Sequence, residues 1–107
     1  MKKNIKDFEN IINYKIKDID LLILALKHKS FDNTNNNEKL EFLGDRVIGL
    51  VLSKKLFDLY PNENEGVLDK RFAILVNRKT CSNVAWSMGL QNYLIMGNKK
   101  NVITKKD

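Results

Sequence analysis

From Asn36 to Tyr60 the chain runs without a helix breaker, and its one proline, Pro61, closes the stretch. That run predicts a long helix ending at Tyr60, where Pro61 and the following Asn-Glu-Asn-Glu forbid its continuation. Its interior carries Phe42, Leu43, Val47, Ile48, Leu50, Val51 and Leu52. Apolar residues on nearly every side predict a central, buried helix. Gly44 and Gly49 lower helix propensity by about 1 kcal/mol each relative to Ala. They leave room for another helix or a partner's backbone to approach.

Three carboxylates interrupt this apolar helix within eight residues: Glu38, Glu41 and Asp45. Their i, i+3, i+7 spacing puts them on one helical face. Like charges buried together are costly unless a cation or hydrogen-bond donors neutralise them. Mg²⁺ suits such a face, because it takes oxygen ligands from one or two carboxylates and keeps several waters. The alternative is a solvated face with Lys39 and Arg46 as partners; Arg46 is also placed to pair with Glu41 or Asp45.

Helical periodicity dominates elsewhere. Phe8, Ile11 and Ile12 predict a short amphipathic helix. Asp18 predicts an N-cap for a helix through Leu21–Leu26 that ends near Lys29 or Ser30. Residues 31–37, rich in Asn and Asp, predict a loop. A fourth helix is expected from Glu65 or Gly66, with Leu68, Phe72, Leu75 and Val76. A fifth is expected from Asn77 to Met88, stopped by Gly89. Val84, Ala85 and Met88 give it a buried face, and Trp86 and Tyr93 are expected in the core. Leu90–Met96 is a short apolar segment, the tail from Asn98 lacks a helical period, and no strand pairing or internal repeat is evident.

The chain of 107 residues is one domain at most, with a formal net charge of +6. A basic balance favours polyanionic partners. Its clusters, Lys2 and Lys3 at one end and Lys99, Lys100, Lys105 and Lys106 at the other, are expected to be solvated termini. A single cysteine, Cys81, excludes an internal disulfide and is expected to be a packed or idle thiol. No run approaches the ~18 apolar residues of a membrane span, and the N-terminus lacks a secretory h-region. The expected location is the cytoplasm.

The motif Glu38-Lys-Leu-Glu41-Phe-Leu-Gly-Asp45, continued by Val47-Ile48-Gly49-Leu50, resembles the signature of the ribonuclease III family. Other segments resemble the family in the same order: Ala25-Leu26 with His28-Lys29-Ser30, then Tyr60-Pro61 with Glu65-Gly66-Val67-Leu68 and Arg71. Leu75-Val76-Asn77-Arg78-Lys79-Thr80 follows, then Met88-Gly89-Leu90 with Tyr93-Leu94. The resemblance spans residues 8–97.

It implies an all-α endonuclease domain that dimerises and cleaves double-stranded RNA with Mg²⁺, or Mn²⁺ in its place, in the processing of ribosomal and messenger RNA. It assigns Glu41 and Asp45 as metal-binding and catalytic carboxylates. Glu38 and Glu65 become acidic residues beside the substrate, reached from both subunits of a homodimer. Phe42 and Leu43 would pack in the core or at the dimer interface, with Leu50 and Val51 deeper inside.

The sequence departs from the family pattern. No segment matches the second acidic helix that completes the metal site, and no double-stranded RNA-binding domain is present. Asp107 lacks the helical context to replace that acid. The expectation is therefore an all-α ribonuclease III-type domain that is truncated, residues 1–107 being part of it. Arg46 and Asp69 stand where relatives carry small residues. His28 is expected to be structural, at a helix end, and Arg71 and Arg78 to hold the signature helix by ion pairs. Competing readings are a noncatalytic RNA-binding or ribonucleoprotein scaffold module that keeps the fold, and a helical protein–protein adaptor.

Overall fold

A computed structural model describes residues 4–97; the basic clusters at both ends, the tail from Asn98 and Asp107 lie outside them. Five helices form in chain order: α1 Ile5–Ile12, α2 Ile19–Leu26, α3 Glu38–Leu59, α4 Glu65–Leu75 and α5 Arg78–Ser87. A 3-10 turn at Leu90–Tyr93 follows.

The helix starts follow from short polar side chains that accept the otherwise unpartnered first-turn amides. Asn4 accepts from Asp7 N, Asp18 from Leu21 N, Asn64 from Val67 N and Asn77 from Thr80 N. Helix α3 begins differently. Asn37 makes no side-chain cap there. Its Nδ2 instead donates to Ala25 O at 3.1 Å, and its N–H to Lys27 O at 2.9 Å. These two bonds tie the start of α3 to the end of α2. Gly89 stops the polypeptide after α5 with φ +81°, the left-handed region that glycine enters without penalty.

Helix α2 ends at Leu26, earlier than its sequence suggests. Lys27 leaves the helix to form a parallel bridge with Ile95. Ile95 N donates to Leu26 O and His28 N to Ile95 O, both at 2.9 Å. A long-range backbone pairing thus takes the groups that another helical turn would have used.

The core lies at this end of the molecule. Ile5, Phe8, Leu22, Leu26, Tyr93 and Ile95 form one buried cluster, with Ile95 only 1% exposed. Phe8 and Tyr93 meet edge to face, with ring centroids 5.3 Å apart. Tyr93 is therefore core, as expected.

The expectation of a buried α3 is not met. Leu56 is its one buried residue, while Phe42 is 61% and Leu50 73% exposed. Leu43, Val47, Ile48 and Val51 are also exposed, so none of this group lies in the core of the single chain. The reason is geometric. An all-round apolar helix needs neighbours on several sides, and among the described residues α4 is the helix packed along α3. Helix α5 likewise buries nothing: Val84 and Met88 are exposed, Ala85 is half-buried, and Trp86 is 68% exposed rather than in the core.

Candidate metal and nucleic-acid site

Glu38, Glu41 and Asp45 rise along the N-terminal half of α3 on one face and line a single hollow of about 790 Å³. His28 and Lys29 border it from the loop after α2. Phe72, Val76, Asn77, Arg78 and Cys81 border it from the α4–α5 corner, and Arg46 from α3 itself. The spacing argument for these three carboxylates therefore matches their common hollow. Its premise of burial does not hold, because all three are exposed to solvent. No group of three His, Cys, Asp or Glu among the described residues is arranged to hold a metal ion.

Local bonds set the walls. At the corner, Asn77 Nδ2 donates to Ala73 O and Ile74 O at 2.8 and 2.9 Å, and Thr80 Oγ1 donates to Ile74 O at 2.9 Å. The turn between α4 and α5 is thereby braced, and Arg78 begins α5 at the hollow's edge. Arg46 does not pair with Glu41 or Asp45. Its guanidinium lies 3.9 Å from the centre of the Phe42 ring and donates to Phe42 O at 3.2 Å. The exposed aromatic face is its partner. Lys39 likewise makes no ion pair with the acidic face among the described residues.

Glu65 stands apart. It lines a second hollow of about 530 Å³ with Ser53, Leu56, Phe57, Leu68, Asp69 and Phe72. The single chain does not bring it to Glu38, Glu41 and Asp45; the Phe72 ring borders both hollows. Arg71 holds α4 to the end of α3: its Nε and an Nη donate to the Glu63 carboxylate, each at 2.6 Å, and it stacks 3.8 Å from the Tyr60 ring. Those hydrogen bonds hold the Glu63 carboxyl below its ordinary range and raise Arg71. Arg71 is thus structural, as expected, whereas Arg78 makes no ion pair among the described residues. Cys81 is not packed but exposed at the hollow. Sequence reasoning had no signal for Cys81, Lys29 or Asn77 as wall residues, since the fold joins them across long separations.

The chain folds as an all-α nuclease-type domain with a hollow lined by three carboxylates and rimmed by cations. It belongs to the ribonuclease-III-like family, whose model matches residues 18–107. It is 52% identical over 101 residues to ribonuclease 3 of Pelagibacter ubique, covering 94% of this chain and 46% of that protein. It is 46% identical over 94 residues to ribonuclease 3 of Campylobacter jejuni, covering 88% of this chain and 42% of that protein. The fold superposes on two solved structures of the nuclease domain of Campylobacter jejuni ribonuclease III. The TM-scores are 0.83 and 0.82, at 45% and 46% identity, covering 87% and 88% of this chain. The matches cover 65% and 64% of those structures, one of which is described for flexibility in a region involved in dimer formation. The chain thus spans a little under half the length of these curated relatives.

Proposed function

We propose that the chain is part of a Mg²⁺-dependent endoribonuclease domain that hydrolyses phosphodiester bonds of double-stranded RNA as a homodimer. The observation that carries this reading is the common hollow of Glu38, Glu41 and Asp45, rimmed by Lys29 and Arg78, in a ribonuclease-III-like chain.

The donor set fits a hard, hydrated cation. Carboxylates on successive turns, open to solvent, offer one or two oxygen ligands and leave room for several waters. Glu41 and Asp45 are the residues assigned to hold it, with Mn²⁺ a substitute. When bound, the ion supplies a water of lowered pKa and neutralises charge on the phosphoryl group. Asp45 would also orient an attacking water or accept its proton at a carboxylate oxygen. Glu38, and Glu65 from the other hollow, are the acidic residues assigned beside the substrate, reached from both subunits of the homodimer. Lys29 and Arg78 offset the repulsion between phosphates and carboxylates. A-form RNA is recognised by shape and backbone, which suits a shallow rim of cations over base-reading side chains.

Cleavage of a long labelled duplex RNA by this chain in Mg²⁺ tests the reading. Expected is cleavage lost on chelation, in Asp45→Asn and in Glu41→Gln. Failure to cut, both by this chain and by a version extended beyond residue 107, sinks it. The lack of a three-ligand metal group among the described residues favours a second reading, a noncatalytic RNA-binding or ribonucleoprotein scaffold module that keeps the fold. Metal-independent RNA binding unchanged by Asp45→Asn would support that alternative.

A further inference from the structure

His28 is the chain's one histidine, half-buried two residues past the end of α2, on the wall of the carboxylate hollow. Its ring is held from behind. The Ser30 backbone N–H donates to His28 Nδ1 at 3.0 Å, and Ser30 Oγ lies 2.8 Å from the same nitrogen. Ser30 Oγ itself accepts from Gly97 N–H at 3.1 Å. The Ser30 hydroxyl hydrogen is then free to point at Nδ1.

An amide can only donate, so Nδ1 is an acceptor in this arrangement and the imidazole proton sits on Nε2. Nε2–H has no partner among the described residues. The backbone fixes where this donor is placed. His28 N–H is bound to Ile95 O, and Asn37 pins the adjacent Lys27 carbonyl to the start of α3. The same peptide unit that begins the acidic helix is thus tied to the loop carrying the imidazole.

We propose that His28 is a substrate-positioning residue: a neutral imidazole, held as the Nε2–H tautomer by the Gly97–Ser30 latch, that donates to a phosphate oxygen of RNA in the hollow. This rests on the reading that the hollow takes duplex RNA. The α3 carboxylates that line the same hollow only accept hydrogen bonds and repel a phosphate, so donors must come from other residues of the lining. A general-base role does not suit His28, because its lone pair is already engaged by Ser30 and the remaining ring nitrogen carries hydrogen.

The one imidazole makes the test direct. Nitrogen-15 NMR of the full chain, at low salt with chelator, should show protonated Nε2 and unprotonated Nδ1. Addition of a short duplex RNA should move the Nε2 resonance and leave Nδ1 in place. His28→Phe should weaken RNA binding about tenfold, the scale of one hydrogen bond to a charged group. His28→Gln, which keeps a terminal N–H donor, should recover much of that loss. Matching thermal melts would show both variants folded. An Nδ1–H tautomer, or bound RNA with an unmoved Nε2 and wild-type affinity in His28→Phe, overturns the proposal and leaves the nuclease reading standing. Wild-type chain that binds no duplex RNA overturns both.

Discussion

Arg46 follows Asp45 in the chain and yet leaves the acidic face alone, stacking on Phe42 instead. Adjacent charges in sequence do not dictate an ion pair when an exposed ring one turn away offers a better-placed partner. Arg71 shows the opposite outcome, a bidentate bond to Glu63 that sequence spacing alone would not single out. Arg71 holds the Glu63 carboxyl below its ordinary value of 4.5, and the Asn35 and Thr34 amides lower Asp32 in the same direction. Depressed carboxyls stabilise the fold above the unfolded pKa and lose that stabilisation as pH falls through the folded one. Glu63→Gln should therefore melt below the wild type at neutral pH, with the gap closing under acid. A gap that persists in acid would assign the loss to packing against Tyr60. Among the proposed site residues, spacing alone placed Glu38, Glu41 and Asp45 together. Glu65 was beyond such reasoning, because its hollow is set by how α4 lies on α3.

Helix existence was legible because apolar period and Asn or Asp caps agree locally. Asn77→Ala should cost about 1–2 kcal/mol in urea unfolding, since it removes a cap and also the bonds to Ala73 O and Ile74 O. Loss of only a few tenths would mean water replaces them. Glycines divide by environment. A Cβ on Gly49 would meet Phe72 Cζ at 3.6 Å, an ordinary contact, whereas one on Gly44 would meet nothing within 4 Å. In dilute solution Gly44→Ala should stabilise the chain by about 1 kcal/mol; a destabilised variant would reveal a helix packed there. Gly97 has no such freedom, because a Cβ there would clash with the Ser30 carbonyl oxygen. Gly97→Ala should loosen the Lys27–Ile95 bridge, which is measurable as faster amide exchange at His28 and Ile95. Unchanged exchange would show that the segment shifts without strain.

Among the described residues, the core gathers α1, α2 and the segment through Ile95, while α3, α4 and α5 together bury only Leu56. Phe57 and Trp86, each 68% exposed, add to Phe42, Leu50 and Val51 as large apolar side chains left open to solvent on several sides of α3 and on α5. Sedimentation should therefore show mass rising with concentration, and replacing Leu50 and Trp86 by Glu should lower it. A monomer at all concentrations would count against both the homodimer and the adaptor reading.

By itself, the sequence determined the helices, the Asp18 cap of α2, the shared face of the three carboxylates and the family. Each depends on neighbours a few residues apart or on an ordered set of motifs. Tertiary structure decided where the core lies, that α3 stays open, where α2 stops and which walls face the acids. Those depend on contacts between distant segments, such as Lys27 with Ile95 and Ser30 with Gly97. Periodicity can say that a helix has an apolar face, but only packing decides whether anything covers it.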